Sequence, residues 1–496
     1  MPSTTAPPIA QSPAQAPALV WFRDDLRLDD NPALDAALAS GRPLALLYVL
    51  DTFSPNLRPM GGASRWWLGR SLAALETAIA ARGGRLILMR GAAEDIVQMV
   101  AQDLGAGAVF WNRRYGAAEI AVDTALKAAL TARGLVVESF NGALLHEPWT
   151  VRTQAGGPFR VFTPFYRNAA TRPLRPLARP HGAWRFAPAT AGRASRGETI
   201  ADWSLEPRAP DWAGGMRAAW SPGEQGARQR LEDLIDRGLE GYAELRDRPD
   251  LDHVSRLSPH LRFGEISPHQ ILAALRHAEA AGTVSARDAG KFVSEIYWRE
   301  FSYHLLFHNP DLAQANFNAR FDAFEWAANP EATRAWRRGQ TGYPIVDAGM
   351  RQLWQTGWTH NRVRMLVASF LIKHLLIDWR QGEAWFWDTL VDADPASNPA
   401  SWQWVAGSGA DAAPYFRIFN PVTQGEKFDP DGAYVRRFVP ELAALPPAFI
   451  HKPWQAPGEV LARAGVRLGE SYPRPMVDHA AARERALDRY GRIRGD

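Results

Sequence analysis

The stretch ALVWF, residues 18–22, is the first of several short apolar runs, and LALLYVL, residues 44–50, is the second. Three further runs lie at Arg85–Met89, Ala108–Trp111 and Leu135–Phe140. Runs of this length without alternation are typical of strands buried on both faces of a sheet. The segments between them have helical periodicity, as in Trp66–Ala81 and Ala117–Ala132. This alternation predicts a doubly wound α/β domain with a parallel sheet.

The remainder of the chain differs in composition from this domain. Residues 1–17 are rich in Pro, Ala and Ser and predict a disordered arm before the α/β domain, which spans residues 18–145. Residues 146–224 lose the periodicity and predict an interdomain linker. From residue 225 to residue 496 the pattern is helical, with Gly and Pro at the helix ends. We therefore predict an α/β domain, a long linker and a larger all-α domain.

The linker is basic. Between Val151 and Ile200 there are nine arginines and a single acid, Glu198. Such a stretch is typical of a solvated strap over the protein surface, and direct contact with a polyanion is the alternative.

Composition excludes several classes of site. The 496 residues include 20 tryptophans and no cysteine, so disulfides, cysteine-ligated iron–sulfur clusters and cysteine nucleophiles are excluded. Redox chemistry would then depend on an organic cofactor or on aromatic residues. The longest apolar stretches, Leu44–Leu50 and Met365–Leu371, are far shorter than the about 20 residues of a membrane helix. We expect a cytoplasmic protein with no membrane partner.

The first strand is followed by a charged loop, residues 23–32, without the GxGxxG of dinucleotide-binding domains. Such a loop lies at the carboxyl edge of the sheet, where open α/β sheets bind their ligands. Taken alone, it indicates no more than small-molecule binding.

Two segments of the helical part carry more chemistry. In Ser255–Gly264, two hydroxyls and two guanidinium groups precede a helix and could hold a phosphate, although the serines could instead be helix N-caps. In the next helix, Glu295, Trp298 and Arg299 share one face. As an isolated pattern, this is more often a surface ion pair over a half-buried indole.

Two later segments are also rich in polar and aromatic groups. Asn361 and Met365 lie on one face of a helix that follows Thr359. The segment Asp392–Trp404 combines carboxylates, a carboxamide and indoles. Metal binding there is conceivable, but the neighbouring groups suit hydrogen bonding to a heterocycle better, and we predict no metal site.

These segments, with FRDDLR at residues 22–27 and AAPYFRIFNP at residues 412–421, closely resemble the DNA photolyase and cryptochrome family. The resemblance extends over nearly the whole chain and is closest to microbial cyclobutane pyrimidine dimer photolyases. It implies an antenna-binding α/β domain and a helical domain that binds FAD. The implied flavin-site residues are Tyr242, Ser255, Arg256, Leu257, Ser258, Arg364, Asp392, Asp394 and Asn398.

Within that implied site, Asn398 would lie opposite flavin N5 and Asp392 would pair with Arg364. Val254 departs from the pattern, since many relatives have Thr there. The phosphate contact of that hydroxyl would be lost, leaving Ser255 and backbone donors.

The resemblance also implies the reaction. Excited, reduced FAD would pass an electron to a flipped-out pyrimidine dimer, and the electron would return after ring splitting. Trp298 and Trp404 would stack on the lesion, Asn361 and Met365 would contact it, and Glu295 would hydrogen-bond a thymine carbonyl. Relatives that repair 6-4 photoproducts have His where Asn361 and Met365 stand, so the pattern favours dimer repair.

Further roles follow from the same resemblance. Trp402, Trp379 and Trp326 match an electron-transfer chain from the protein surface to the flavin, although each indole alone would more often be a packing residue. DNA phosphates would be bound by Arg246, Arg299, Arg362 and Arg417.

The antenna chromophore is less defined. Glu119 corresponds to a folate-contacting acid, but Ala118 and Gln314 stand where folate-binding relatives have a carboxamide and a lysine. Methenyltetrahydrofolate is preferred over a deazaflavin, and an empty antenna site is the third possibility. We expect a monomer. The alternatives for function are a 6-4 photolyase, a blue-light cryptochrome without repair activity, and a flavin-binding module without photochemistry.

Overall fold

A computed structural model describes residues 16–178, 184–188, 197–412 and 416–494. In its N-terminal part, five parallel strands form one sheet in the order β3-β2-β1-β4-β5. The strands are β1 Ala18–Phe22, β2 Leu44–Leu50, β3 Leu86–Arg90, β4 Ala108–Asn112 and β5 Val136–Phe140. Each strand lies within one residue of its predicted position, so the predicted doubly wound α/β domain is confirmed.

Helices cover both faces of this sheet. They are α1 Pro32–Ala39, α2 Gly62–Ala80, α3 Ala93–Asp103 and α4 Ala117–Ala132. Alternate strand residues enter two separate cores: Val20 and Leu46 pack with α1 and α2, whereas Leu19 and Leu47 pack with α3 and α4. Helix α4 has its predicted bounds, and α2 begins four residues earlier than predicted because Gly62–Arg65 has no apolar period to mark it.

The linker is a packed part of the molecule. It contains helix α5, Phe162–Ala169, a 3-10 turn at Ile200–Trp203 and helix α6, Gly214–Ala219. The interpretation as a solvated strap fails for its aromatic residues, because Phe162, Phe165 and Trp203 are buried. It holds for Arg152, Arg160 and Arg167, which are exposed.

The C-terminal part is all-helical, as predicted. Its helices are α7 Glu224–Asp233, α8 Tyr242–Leu245, α9 Ser258–Arg262, α10 Pro268–Ala280, α11 Ala286–His308, α12 Pro330–Arg338, α13 Pro344–Thr356, α14 Asn361–Ser369, α15 Trp379–Thr389, α16 Ser397–Ala406, α17 Pro421–Phe428, α18 Ala433–Phe438, α19 Pro447–Ile450, α20 Gly458–Arg463 and α21 His479–Arg494. Single turns of 3-10 or π helix occur at Leu234–Gly238, Ala319–Ala323, Phe370–His374, Pro440–Leu442 and Pro453–Gln455.

The α/β domain packs directly on the helical domain around α9. The buried Arg27 guanidinium donates to the carbonyl of Gly264 at 2.9 Å, and Trp67 Nε1 donates to Glu265 at 2.9 Å. Gly264 has a φ of +63°, and a Cβ there would lie 2.1 Å from the carbonyl oxygen of Asp24. Only glycine permits this approach, so the segment around α9 is fixed against the carboxyl edge of the sheet.

Most of the predicted N-terminal arm lies outside the described residues. Its last residue, Pro17, accepts a hydrogen bond from the backbone N–H of Gly107 at 2.9 Å. Among the described residues, no helix is both long and apolar enough to cross a membrane.

Candidate functional site

A deep cavity of about 720 Å³ lies in the helical domain, enclosed mainly by α8, α9, α11, α14 and α16. It brings together residues that are up to about 160 positions apart in the sequence. The residues implied by the family resemblance that line it are Tyr242, Arg246, Ser255, Arg256, Leu257, Ser258, Glu295, Trp298, Arg299, Asn361, Arg362, Arg364, Met365, Asp392, Asp394, Asn398, Trp402 and Trp404.

The segment Ser255–Ser258 forms one end of the cavity. Arg256 has a φ of +51° and its guanidinium carbon lies 5.4 Å from the ring centre of Trp358. The Nε of Arg256 is buried without a hydrogen-bond partner, which leaves a donor for an anionic group. Neither serine caps α9, because the N-cap position is Leu257. The N-cap interpretation is therefore wrong for both serines. Of the donors that the phosphate interpretation named, Ser258 and Arg262 are held by Asp392 and Asp24, which leaves Ser255 and Arg256.

Val254 also lines this end of the cavity and packs against the apolar core of the α/β domain. It contributes contact area and no hydrogen bond, so Arg256 and the neighbouring backbone N–H groups are the donors near it.

Arg364 and Asp392 form the ionic centre of the site. The two side chains make a bidentate pair, with N–O distances of 3.1 and 2.8 Å, and Arg364 Nε donates to the carbonyl of Thr359. Ser258 Oγ donates to the same Asp392 carboxylate at 2.6 Å. Three segments that are distant in sequence are thereby fixed around one carboxylate.

Asp394 accepts hydrogen bonds from the backbone and from a tyrosine. One of its carboxylate oxygens accepts the backbone N–H groups of Ala396 and Ser397 at 2.9 and 2.7 Å, and the other accepts Tyr303 Oη–H at 2.8 Å. The carboxylates of Asp392 and Asp394 are thus both held in place by donors of the protein.

Asn398 is oriented by a chain of two charged residues. Its Nδ2 donates to Glu383 Oε1 at 2.8 Å, and the buried Glu383 carboxylate is held by both terminal nitrogens of Arg58 at 2.7 Å. Arg58 belongs to the α/β domain and lies over the ring of Trp387 at 4.1 Å. With its nitrogen engaged, Asn398 has its carbonyl oxygen available to a bound group.

Helix α11 supplies Glu295, Trp298 and Arg299. Glu295 pairs with Arg246 and, at 3.0 Å, with Lys291. Arg299 instead donates to the carbonyl of Ala143 at 2.8 Å and lies over the Tyr303 ring. The expected ion pair between Glu295 and Arg299 is therefore absent, because Arg246, directly after α8, and the carbonyl of Ala143 in the other domain are better partners.

Trp298 and Trp404 line the same cavity from α11 and α16, and Asn361 and Met365 line it from the first turns of α14. Asn361 is preceded by His360, whose Nδ1 accepts the Arg362 N–H at 3.2 Å and so caps α14. Burial lowers the pKa of His360 to about 4, so this imidazole is neutral at physiological pH.

Arg362 pairs with Asp247 and lies 4.5 Å from the ring centre of Phe428. Arg417 is exposed, and its carbonyl accepts a hydrogen bond from the buried Lys373. The two residues thus occupy different surroundings, and Arg417 lies outside the cavity lining.

The three tryptophans of the implied electron-transfer chain belong to or pack against one apolar core and differ in exposure. Trp402 lines the cavity and is 2% exposed, Trp379 is fully buried, and Trp326 is half-buried. A Cβ at Gly382 would lie 2.2 Å from the Trp402 ring, so this glycine lets Trp402 contact α15 one turn from Trp379. Trp326 packs against the apolar core that contains Trp379 and Trp402.

Glu119 lies in the α/β domain, far from this cavity in sequence, near the carboxyl ends of β1 and β4. Beside it, the Nε and one terminal nitrogen of Arg114 are buried without a hydrogen-bond partner among the described residues. Asp24, at the same edge, pairs with Arg262 of α9 at 2.8 Å. The edge therefore holds donors that a ligand could use, close to the contact between the domains.

Comparison with known proteins shows which family this chain belongs to. The family model described as the FAD binding domain of DNA photolyase matches residues 292–492, and the model described as DNA photolyase matches residues 18–181. The deoxyribodipyrimidine photo-lyase of Agrobacterium fabrum is 54% identical over 97% of this chain and 98% of its own length. The chain belongs to the DNA photolyase and cryptochrome family.

Two further relatives show the breadth of this family. The crystal structure of a bacterial class III photolyase from Agrobacterium tumefaciens matches with a TM-score of 0.92 and 53% identity, covering 98% of this chain and 99% of that one. Cryptochrome-1 of Arabidopsis thaliana is 38% identical over 94% of this chain and 69% of its own length. Because relatives named cryptochromes and relatives named photolyases both match this chain, family membership alone does not decide between the two groups.

Several residues that contact the cavity-lining groups are not predicted by the sequence motifs. Glu383, Arg58 and Tyr303 hold polar groups of the cavity, and Asp247 and Lys291 are partners of Arg362 and Glu295. Only Lys291 had a signal, since it precedes Glu295 by four residues on one helix.

Proposed function

We propose that the protein repairs cyclobutane pyrimidine dimers in DNA in a light-dependent reaction, with FAD bound in the helical-domain cavity. The observation that carries this function is the joint placement, in one cavity, of a polar flavin-type site around Asp392 and two indoles, Trp298 and Trp404. A photoreceptor has no need for paired stacking surfaces beside its flavin, whereas a repair enzyme needs them for the flipped-out bases.

The residues present fit FAD. Arg256 and the backbone of Ser255–Ser258 supply donors for the phosphates, and Arg364 with Asp392 supplies a donor and acceptor pair for a heterocycle. Asn398 offers a carbonyl oxygen that Glu383 holds in place. When bound in its reduced form, FAD would supply the light-activated electron that opens the dimer and is returned afterwards.

The lesion end of the cavity suits a pyrimidine dimer. Trp298 and Trp404 would stack on the bases, with Asn361 and Met365 contacting the lesion between them. Repair of 6-4 photoproducts needs a proton donor, and no histidine is among the described residues that line the cavity; His360, which precedes the lining residue Asn361, is neutral and caps α14. Dimer repair is therefore the better match.

Glu295 acts together with Arg246 in this proposal. Glu295 can donate to a thymine carbonyl only as the protonated acid, whereas in the structure Arg246 and Lys291 contact its carboxylate. Binding of a DNA phosphate by Arg246 would withdraw one of these cations. Entry of the lesion would then expose Glu295 to the base.

Electron transfer from the surface would follow Trp326, Trp379 and Trp402. The order of their burial, from half-buried to cavity-lining, supports this direction. The route would restore reduced FAD and takes no part in the splitting of the lesion.

An antenna chromophore would bind at the carboxyl edge of the sheet, between Glu119 and the domain contact. The unpaired donors of Arg114 suit a ligand with carboxylate groups, which favours methenyltetrahydrofolate over a deazaflavin. Binding of each chromophore to the purified protein, followed by absorbance, tests this choice.

The deciding experiment is illumination of the reduced protein with duplexes that contain either a cyclobutane dimer or a 6-4 photoproduct. Light scattering beforehand checks the expectation that the protein is a monomer. We expect repair of the dimer only. Repair of the 6-4 lesion alone would assign the second lesion class. Absence of repair for both, with intact flavin photoreduction, would assign a photoreceptor.

A further inference from the structure

The first residue of linker helix α5, Phe162, contacts one of the lesion-facing tryptophans. Its ring is parallel to Trp298, with an interplanar angle of 8° and a distance of 3.7 Å between the ring centres. Phe162 is 8% exposed and is absent from the cavity lining, whereas Trp298 lines the cavity. Phe162 therefore covers the face of Trp298 that points away from the cavity.

The other lesion-facing tryptophan reaches the same helix through Asp411. Trp404 Nε1 donates to the backbone carbonyl of Asp411 at 3.1 Å, and an Oδ of Asp411 accepts the backbone N–H of Phe162 at 3.4 Å. The N–H groups of a first helical turn have no partner within the helix, so this carboxylate also satisfies α5. Asp411 has a φ of +58°, a conformation that Asp, Asn and Gly tolerate.

A continuous set of contacts thus runs from one tryptophan to the other. It passes from Trp298 through the ring and N–H of Phe162, and through both acceptors of Asp411, to Trp404. Simple core packing would account for a buried Phe162. It would not account for one acidic residue that joins the helix carrying Phe162 to the second indole.

We propose that Phe162 and Asp411 are positioning residues, which hold Trp298 and Trp404 at the separation needed to receive the flipped-out bases. This inference rests on the proposed function. A wall that is already fixed in the free protein loses less conformational entropy when the lesion binds, so affinity for the lesion depends on both residues.

The test measures binding to duplexes with and without one cyclobutane dimer, using the FAD-loaded full chain. Phe162→Leu keeps apolar volume and removes the planar ring, and we expect about three- to tenfold weaker binding of the dimer duplex. Binding of the undamaged duplex, and repair per absorbed photon in the saturated complex, should not change. Phe162→Tyr keeps the ring and should restore wild-type affinity.

Asp411 gives a second pair of variants in case Phe162→Leu does not fold. Asp411→Gly removes the side-chain acceptor of the Phe162 N–H and tolerates the positive φ, so it should reproduce the loss of affinity for the dimer duplex. Asp411→Asn keeps an acceptor and the same backbone conformation, so it should bind the dimer duplex as the wild type does. Thermal unfolding and flavin absorbance report the folding of each variant.

A double-mutant cycle separates positioning from general packing. If Phe162 acts through Trp298, Phe162→Leu causes no further loss in a Trp298→Ala background. An equal further loss in that background, or wild-type affinity in both Phe162→Leu and Asp411→Gly, would overturn the proposal. If the wild-type protein shows no preference for the dimer duplex, the proposed function itself fails, which is a different result.

Discussion

The four arginines that the family resemblance assigns to DNA phosphates have different partners in the structure. Arg246 and Arg362 hold carboxylates at the cavity, which a phosphate can replace, and Arg417 is exposed. Arg299 is 12% exposed on its side chain and donates to the carbonyl of Ala143 in the other domain. Because this hydrogen bond joins the two domains, we expect Arg299 to keep it when DNA binds, which leaves three phosphate contacts and not four.

The expected salt dependence of DNA binding follows from counterion release. Each neutralised phosphate contributes about −0.9 to the slope of log affinity against log salt, so three contacts give about −2.7 and four would give about −3.6. Arg417→Ala should flatten the slope by about 0.9. Arg299→Ala should leave the slope unchanged and lower the free energy of unfolding by about 1–3 kcal/mol, because the Ala143 carbonyl loses its donor.

The assay is fluorescence anisotropy of a labelled dimer-containing duplex between about 50 and 200 mM salt, with urea unfolding of the same variants. Equal flattening of the slope in Arg299→Ala and Arg417→Ala would refute the division of the arginines. A wild-type slope near zero would remove DNA as the partner.

Three further predictions concern the flavin site and the interior. Trp402→Phe should abolish photoreduction of oxidised FAD and spare repair by chemically reduced protein. Trp336 is also buried, so Trp336→Phe is the matched control and should photoreduce normally. Absorbance under blue light checks both variants. Asp392→Ala should release FAD on gel filtration, since Arg364 would be left unpaired beside the cavity, and retention of FAD would count against the ionic centre. Burial raises the pKa of Glu300 to about 7 from 4.5, so the folded protein binds more protons than the unfolded chain between these values, and the free energy of unfolding falls as pH rises through this window. Glu300→Gln should remove that dependence and stabilise the protein at pH 8 by about 3 kcal/mol. A urea midpoint at pH 8 that does not increase would show that burial of this carboxylate has little cost.

The fold could be predicted from the sequence where local pattern decides it. The strands follow from apolar runs such as Leu44–Leu50, because a strand covered on both faces needs apolar side chains at every position. The linker could not be predicted in the same way. Phe162 and Phe165 stand among Pro, Thr and Arg without a period, and their burial depends on the helical domain on which they pack.

Within the site, the motif residues gather around one cavity, but their hydrogen-bond partners do not follow from spacing. The pairing of Arg58 with Glu383 joins positions 325 residues apart. The acid and cation at Glu295 and Arg299 have the spacing of an ion pair, yet each has a different partner. Helical spacing gives the candidate pair, and tertiary neighbours decide which pair forms.

These long-range partners have a consequence for how the site is organised. Arg58, from the α/β domain, holds Glu383 and through it Asn398, and Phe162, from the linker, covers the far face of Trp298. Two lining residues of the cavity, Asn398 and Trp298, therefore depend on residues that precede residue 225. The α/β domain and the linker thus help to complete the cavity of the helical domain, and the contact of Arg27 with the carbonyl of Gly264 fixes the α/β domain against it.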